Sequence, residues 1–310
     1  YPAVIWIVSS LFPKQYAKGA FSGKVSMIVA AHNEEEVIRE KVENCLSLDL
    51  GSADWEIIIV SDGSIDSTET ILSEYKNISE RLHIITYQPR AGKSNALNVG
   101  FSVSKGEILI FSDANVMLEP DAPMKLLMPF ADPQIGAVCG KVHVKGRGND
   151  EIAGESLYMK LEGIIQKAEG EVWSMVGTDG ALFALRRELF RNIEKETILD
   201  DFALSMEAPL NDKRIVYAQE AQAVEEVIAS VANEFKRKTR IISGGYQYLV
   251  YLLNARQDMQ ARTLFLFSFI SHKVLRWLAP FFMIGMFVAS LFLLKRFFYR
   301  FMFMARSIFY

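Results

Sequence analysis

Short apolar runs alternate with amphipathic stretches over the first half of the chain. Four of these runs predict strands: VSMIVAA (25–31), EIIIVSD (56–62), LHIITY (82–87) and ILIFSD (108–113). Helices are predicted between them, from about Glu34 to Leu48, Ser67 to Tyr75 and Lys93 to Val103. Apolar strands that alternate with helices are typical of a doubly wound, mostly parallel α/β sheet. AVCGKVHV, after Gly136, predicts a further strand of this sheet, and RGNDE (147–151) predicts a loop or subdomain boundary.

The C-terminal part of the chain has a different pattern, a long apolar run between basic residues. WLAPFFMIGMFVASLFLL, from Trp277 to Leu294, contains no charged residue, and lysine and arginine flank it on both sides. Its length approaches the roughly 20 residues that cross the hydrocarbon core of a membrane. Basic flanks are typical of the cytoplasmic side. The run therefore predicts a transmembrane helix next to a cytosolic domain.

Charge divides the chain near the same place. Asp258 is the last acidic residue, so residues 1–258 hold all 37 acidic residues but only 27 of the 34 basic ones. An acidic soluble part disfavours contact with a nucleic-acid backbone, so no nucleic-acid partner is expected. Cys45 and Cys139 offer no disulfide framework, which is consistent with a reducing compartment.

These patterns divide the chain into four expected regions. YPAVIWIVSSLF, at the start, is uncharged but too short to span a membrane, and it is interpreted as the remnant of an earlier membrane helix or a signal-peptide fragment. The regions are 1–20, this remnant; 21–235, a globular domain; 236–272, interfacial amphipathic helices; and 273–310, a truncated transmembrane region with a second apolar segment from Phe297. The expected location is the cell membrane, with several spans and the globular domain facing the cytoplasm.

Polar side chains follow several predicted strands. They are His32, Asn33 and Glu34 after the first, Asp62 after the second, and Asp113 and Asn115 after the fourth. Ligands of parallel α/β sheets gather at this edge, where oxygen ligands suit a hard divalent cation. Structural explanations remain open, because Asn is a good helix cap and Asp-x-Asn suits a turn. Lys93, after a glycine at a helix start, fits either an anion site or a solvated surface. Neither a Walker motif nor a G-x-G-x-x-G fingerprint is present.

Seven motifs together are similar to those of one enzyme family. AAHNEEE, VSDGSIDST, GKSNALNVG and FSDAN, in this order, resemble the nucleotide-sugar-binding half of the inverting family-two glycosyltransferases. The resemblance continues with GTDGALFALRRELF (177–190), ILDDF (198–202) and RKTRIISGGYQ (237–247), and so covers nearly the whole chain. It is greatest for membrane-embedded polysaccharide synthases, such as chitin, hyaluronan, cellulose and poly-N-acetylglucosamine synthases. The resemblance implies a GT-A fold for residues 21–235, with a Rossmann-like, mostly parallel sheet.

The resemblance implies a donor site at the strand ends. It implies that Asp62 contacts the nucleotide base, that His32 and Glu34 lie near the base and ribose, and that Lys93 approaches the nucleotide end. It implies that Asp113 and Asn115 form the D-x-D site for Mg²⁺ or Mn²⁺ at the diphosphate. Position 115 departs from the family pattern, because an amide replaces the second acid and removes one negative charge.

ILDDF matches the family's E-D motif and implies that Asp201 is the catalytic base, with Asp200 in the place of the preceding Glu. Inverting transfer needs a carboxylate that takes the proton of the acceptor hydroxyl. The structural alternative is an acidic helix start before FALSMEA, which for Asp200 is about as well supported as a role in the site.

Two further motifs imply contacts with diphosphate and acceptor. Arg237 and Arg240 match the Q-x-x-R-W motif loosely, since only Arg240 keeps its residue type, and a basic helix on the membrane surface is the rival interpretation. Thr178, Asp179 and Gly180 occupy the family's acceptor-side loop. Trp173 is a candidate sugar platform, with a core position as the structural alternative.

The expected function is therefore membrane-anchored transfer of a hexose or N-acetylhexosamine from a UDP-sugar to a growing β-linked polysaccharide. The expected partners are the UDP-sugar donor, a saccharide or lipid-linked acceptor, and membrane lipids. Two alternatives stay open at the level of sequence: a single-addition transferase acting on a lipid or polyprenyl phosphate, and an idle relative that only binds a nucleotide-sugar.

Overall fold

The structure, a computed structural model, describes residues 1–146, 153–227, 231–254 and 263–292. RGNDE and the second apolar segment from Phe297 lie outside the described residues. The helices are α1 (Pro2–Leu11), α2 (Ile38–Ser47), α3 (Thr68–Glu74), α4 (Lys93–Val103), α5 (Ala122–Leu127), α6 (Ala153–Val172), α7 (Asp200–Leu210), α8 (Val231–Asn254), α9 (Thr263–Ser268) and α10 (Leu275–Phe292). The strands are β1 (Lys24–Ala31), β2 (Asp54–Asp62), β3 (Leu82–Tyr87), β4 (Ile108–Asp113), β5 (Val116–Leu118), β6 (Ile135–Gly146), β7 (Leu182–Arg186) and β8 (Arg214–Val227).

The described strands form one sheet in the order β3-β2-β1-β4-β7-β6-β8-β5. The first four predicted strands are parallel neighbours, and β6 also joins the sheet. β7 lies between β4 and β6 and is antiparallel to both, and β5 is antiparallel to β8. The predicted doubly wound, mostly parallel sheet is confirmed, with two reversed strands that the apolar pattern did not single out.

Alternate residues of the central strands pack into separate cores on the two faces of the sheet. Met27 and Val29 lie in one buried cluster, whereas Ile28 lies in the other. Successive side chains of a strand point to opposite faces, so an uninterrupted apolar run fills both layers. The sheet is thereby covered on both sides, and its carboxyl edge is left to carry polar residues.

The predicted helices are present, and α4 begins at Lys93 as expected. α2 begins at Ile38, later than the predicted Glu34, because the segment before it is tied to the loop after β2. The backbone N–H of Glu34 donates to Thr68 Oγ1 at 2.8 Å and that of Glu35 donates to Asp66 Oδ2 at 3.2 Å. These bonds hold the chain after β1 as a turn at the sheet edge.

A third buried cluster joins the C-terminal helices to the sheet domain. It contains Trp173, Phe202 of α7, Tyr248 of α8, and Phe265 and Trp277 of the C-terminal helices. The ring of Phe202 meets those of Tyr248 and Trp277 edge-on, at centroid distances of 5.0 and 5.9 Å. α7 is therefore clamped between the sheet and the apolar helices.

The C-terminal helix has the length and composition of a membrane span. Within the described residues, one continuous helix from Thr263 to Phe292, with a π-helical turn at Phe269–Val274, is long and apolar enough to cross a membrane. It starts well before the predicted Trp277. Only 11% of its apolar 18-residue stretch is buried, whereas the core helix of a soluble protein is mostly buried. It remains a candidate span on length, composition and exposure.

Candidate active site

Acidic and basic side chains from three elements meet at the carboxyl edge of the sheet. Lys93, the first residue of α4, donates from Nζ to Asp113 Oδ1 at 2.7 Å, and the same ammonium lies 3.6 Å from Asp200 Oδ2. Asp113 ends β4, and Asp200 begins α7. One lysine thus links the ends of two elements that are far apart in sequence. Although burial opposes it, the carboxylates of Asp113 and Asp200 raise the pKa of Lys93, so its charge is secured at neutral pH.

Asp201 follows in the first turn of α7 and has the properties of a general base. Burial and the neighbouring Asp200 carboxylate raise the pKa of Asp201 to about 7, while Lys93 opposes the shift. A base works best when its pKa lies near the working pH, because it is then both ionised and able to hold a proton. Asp201 is therefore prepared for proton transfer near neutrality.

The loop before β7 passes directly over Asp201. A Cβ on Gly180 would lie 2.7 Å from Asp201 Oδ2, so a side chain there would collide with the carboxylate. Gly177 has a φ of +77°, and a Cβ there would lie 2.3 Å from the ring of Phe202. Glycine is needed at both positions, at Gly177 for the left-handed backbone and at both for close approach.

The two residues between these glycines differ in exposure. Thr178 is buried, its N–H donates to Ser205 Oγ at 3.1 Å, and its hydroxyl has no hydrogen-bond partner among the described residues. Asp179 is exposed, and its Oδ2 accepts from Gln166 Nε2 at 3.3 Å. Asp179, an exposed carboxylate near Asp201, is suited to hydrogen bonding with the hydroxyls of a sugar, whereas the unpartnered hydroxyl of Thr178 is enclosed in the same loop.

Asp62 is held inside the protein by the loop that leads to Lys93. Its Oδ1 accepts from Tyr87 Oη at 2.9 Å and from the N–H of Ala91 at 2.7 Å, and its Oδ2 accepts from the N–H of Gly92 at 2.8 Å. The carboxylate is almost fully buried. In this structure Asp62 shapes the loop before α4, and a direct contact with a nucleotide base would need part of that loop to open.

Gly63 allows this loop to lie close to β2. It has a φ of +59°, and a Cβ there would lie 2.4 Å from the backbone nitrogen of Arg90. Any other residue would combine left-handed backbone strain with a collision. Asp62 and Gly63 thus stabilise the loop before α4, Asp62 by its hydrogen bonds and Gly63 by allowing close packing.

His32 and Glu34 lie at the neighbouring strand end, as predicted. His32 Nδ1 donates to the carbonyl oxygen of Asp62 at 2.8 Å, which fixes the ring across the ends of β1 and β2. Glu34 is half-buried, and burial followed by the charges of Asp113 and Asp66 raises its pKa. The structure therefore brings His32, Asp62, Glu34 and Asp113 to one edge.

Asp113 and Asn115 offer oxygen ligands of the kind that Mg²⁺ and Mn²⁺ prefer. Asn115 Nδ2 donates to Glu225 Oε1 at 3.2 Å, which leaves the amide oxygen for another partner. The Lys93 ammonium beside Asp113 indicates that this position accommodates positive charge. The donor set fits a hard divalent cation. No group of three or more His, Cys, Asp or Glu among the described residues could hold a metal ion, so further ligands would come from diphosphate or water.

A fully buried lysine supports the Asp113–Asn115 loop from behind. Lys41 Nζ, on α2, donates to Ser112 Oγ at 2.7 Å and to the carbonyl oxygen of Val116 at 2.5 Å. These acceptors flank the loop on both sides. Burial lowers the pKa of Lys41, and the two bonds offset part of the cost of enclosing it.

We expect Lys41→Met to lower the free energy of unfolding by about 1–3 kcal/mol, because it leaves the carbonyl of Val116 without this donor in a buried position. Urea unfolding followed by tryptophan fluorescence measures the change. Lys76→Met is the matched control, since Lys76 is exposed after α3. Equal unfolding midpoints for the two variants would show that the buried amine does not support the loop.

The remaining predicted residues lie on or near the C-terminal helices. Arg237 and Arg240 are exposed on α8, and Arg237 pairs with Glu234 with Nε 2.9 Å from Oε2. Burial raises the pKa of Glu225, and the charge of Arg237 on α8 opposes part of that shift. Trp173 is buried, with its ring edge-on to Phe265 at 5.5 Å. The structure places Trp173 in the core and does not bring it to the site.

Two residues beside the site were not predicted from sequence, namely Lys41 and Glu225. Lys41 had a signal, because it lies on the same helical face as the apolar residues Ile38, Val42 and Cys45, where a charge needs an internal partner. Glu225 had none, because its partner Asn115 is 110 residues away and only strand pairing brings them together.

Comparison with known proteins adds a family and relatives. The model of the family described as Glycosyl transferase family 2 matches residues 26–194. A poly-beta-1,6-N-acetyl-D-glucosamine synthase from Staphylococcus epidermidis is 26% identical over 233 residues, covering 73% of this chain and 55% of that protein. A synthase of the same name from Staphylococcus aureus (strain COL) has the same identity and coverage. The chain spans about half the length of these curated relatives.

A solved structure shows the same fold. A mannosyltransferase from Pyrobaculum calidifontis, in complex with GDP-Man and Mn²⁺, matches with a TM-score of 0.71 at 18% identity, over 99% of this chain and 91% of that one. At this identity the likeness shows the fold alone, and it confirms the predicted fold class. The family match ends before Asp200, so the roles of α7 and α8 rest on the geometry described above.

Proposed function

Because the chain belongs to glycosyl transferase family 2, we propose that it transfers a sugar with inversion from a UDP-sugar to a growing β-linked polysaccharide. The sugar is a hexose or N-acetylhexosamine, and the similarity to poly-beta-1,6-N-acetyl-D-glucosamine synthases supports the second. The observation that carries the proposal is the position of Asp201, a carboxylate with a pKa of about 7 beside the Lys93 bridge.

Asp201 acts as the base in this proposal. The acceptor hydroxyl loses its proton to Asp201 while its oxygen forms a bond to the anomeric carbon, and the bond from that carbon to the diphosphate oxygen breaks on the opposite side. The electron pair of the broken bond leaves with UDP. The raised pKa of Asp201 supports this role, because a stronger base takes the proton more readily.

Lys93 and the Asp113–Asn115 loop stabilise the leaving group, the diphosphate of UDP. Asp113 and Asn115 would hold Mg²⁺ or Mn²⁺, which when bound neutralises charge on the departing diphosphate. Lys93 lies between this loop and α7, so its ammonium is available to the diphosphate and at the same time limits the rise in the pKa of Asp201. Arg237 and Arg240 supply further positive charge from α8. His32, Glu34 and Asp62 form the nucleotide side, where Asp62 would act through the loop that it holds before α4.

The loop over Asp201 receives the acceptor. Asp179 supplies a carboxylate for the sugar, Thr178 is enclosed in the same loop, and Gly180 leaves room above the base. Trp173 is left out of this acceptor site, because its ring is covered by the C-terminal helices.

The proposal also includes a location at the membrane. The Thr263–Phe292 helix is the candidate anchor, and exposed apolar residues of α1 lie outside the sheet domain. We propose a cell-membrane location with more than one span and with the sheet domain in the cytoplasm, where UDP-sugars are made available. α8 and its basic residues would lie along the membrane surface.

The test is UDP release by membranes that contain the full-length protein, given a panel of UDP-sugars with Mn²⁺ or Mg²⁺ and then with EDTA. We expect release with one donor, at least tenfold above the EDTA value because the leaving group then lacks its counter-charge. Long products support the synthase, whereas single additions to lipid identify the alternative acceptor. UDP binding without turnover of any donor would reject the enzymatic proposal.

A further inference from the structure

The departure from the D-x-D pattern at Asn115 coincides with an acidic side chain on the neighbouring strand. Asn115 Nδ2 donates to Glu225 Oε1 at 3.2 Å. β5 and β8 are antiparallel, and Val116 is the Cα partner of Glu225 in their register. Strand pairing therefore fixes the backbone of Glu225 beside the loop. The next residue, Glu226, is exposed and points to the other face of β8.

This contact selects one orientation of the Asn115 amide. A side-chain amide has a donor end and an acceptor end, whereas an ionised carboxylate only accepts. Turning the amide over would place its oxygen against Glu225 and repel it. Glu225 thus directs the amide nitrogen toward itself and leaves the amide oxygen for a cation.

Glu225 also restores a negative charge to this corner of the sheet. Asp113 and Asn115 carry one charge together, whereas the family's two acids carry two. Asp113, Glu34 and Glu225 are the acidic groups around the loop, and Lys93 and Arg237 are the basic ones.

We propose that Glu225 is a positioning residue for the metal site, which orients the Asn115 amide oxygen and supplies the charge that position 115 lacks. This inference rests on the proposed function, because it takes a divalent cation at Asp113 and Asn115 as given. The negative charge that the family motif carries at the position of Asn115 is thus supplied by Glu225 on β8. A carboxylate at both 115 and 225 would place two like charges in contact.

Mn²⁺ binding tests the inference independently of turnover. The full chain, purified in detergent with saturating UDP, is titrated with Mn²⁺, and free Mn²⁺ is measured by electron paramagnetic resonance. We expect Glu225→Gln to weaken binding by about tenfold, because a nearby negative charge is lost in partly buried surroundings. The double variant Asn115→Asp with Glu225→Gln should bind within about threefold of the original chain, since charge and hydrogen bond are kept with donor and acceptor exchanged.

Glu226→Gln removes the same charge from the adjacent exposed position and should leave Mn²⁺ binding unchanged. Thermal unfolding in EDTA checks that every variant is folded. Equal affinities for Glu225→Gln and Glu226→Gln would overturn the inference, and so would a double variant as weak as Glu225→Gln alone. No Mn²⁺ binding by the original chain would overturn it together with the metal site, whereas binding without turnover would reject only the proposed function.

Discussion

Asp201→Asn should abolish most sugar transfer while leaving the protein folded. Removal of a general base typically lowers turnover by about 10²–10⁴-fold, and Asn cannot take the proton of the acceptor hydroxyl. The amide has nearly the same shape, so it fits beneath Gly180, where a Cβ would lie only 2.7 Å from Asp201 Oδ2. UDP release with a saturating donor measures the loss. Asp212→Asn, an exposed position in the turn after α7, is the control and should keep full activity.

The pH dependence of sugar transfer by the original chain is a second test of the role of Asp201. The pKa of Asp201 is about 7, so the carboxylate gains a proton as the pH falls below 7 and transfer should decline there. An acid limb near pH 4, where an ordinary Asp titrates, would contradict the raised pKa.

Stability should change in the opposite direction to activity. The folded pKa of Asp201 lies above the value of about 3.9 for an unfolded Asp, so the folded state loses stability as the pH rises from about 4 to 7. Asn resembles the protonated acid and does not titrate. Asp201→Asn should therefore unfold at a higher temperature than the original chain at pH 8, and the difference should vanish near pH 4. Lower stability of the variant at pH 8 would attribute any lost activity to misfolding.

The sequence predicted the donor edge of this fold well, because local rules govern it. The ends of β1, β2 and β4, and the start of α4 at Lys93, follow from apolar runs that stop at polar residues. Parallel strands bring their carboxyl ends to the same edge, so the meeting of His32 with Asp62 could be expected from topology.

Contacts that depend on the reversed strands and the C-terminal helices could not be predicted in this way. Glu225 meets Asn115 through the pairing of β8 with β5, and Trp173 is covered by a helix that begins some 90 residues later. Periodicity states which face of an element is apolar, but it does not state which distant element will cover it. The way in which Asp62 holds the loop before α4 could not be predicted either, since two of its partners are backbone N–H groups, which any sequence supplies.

Lys93→Met should lower transfer at pH 7 by about 10²-fold, the scale of losing one strong electrostatic contact to the developing charge. Two effects combine. The diphosphate loses a cation at the start of α4, and Asp201 loses the positive charge that limits its pKa. The acid limb of the pH–rate profile should therefore move to higher pH, because more of Asp201 is protonated at pH 7 once Lys93 is absent. Rates of UDP release from pH 5.5 to 9 measure both effects.

Two variants separate charge from geometry in this prediction. Lys93→Arg keeps the positive charge but replaces a point charge with a planar fork, so it should leave the acid limb in place and recover only part of the rate. Lys105→Met, just beyond the other end of α4, removes an exposed lysine and should change neither quantity. If Lys93→Met lowered the rate without moving the acid limb, Lys93 would serve the diphosphate alone. An unchanged rate would contradict the bridge from Asp113 to Asp200 as part of the machinery, because that bridge is the link between the leaving-group side and the base.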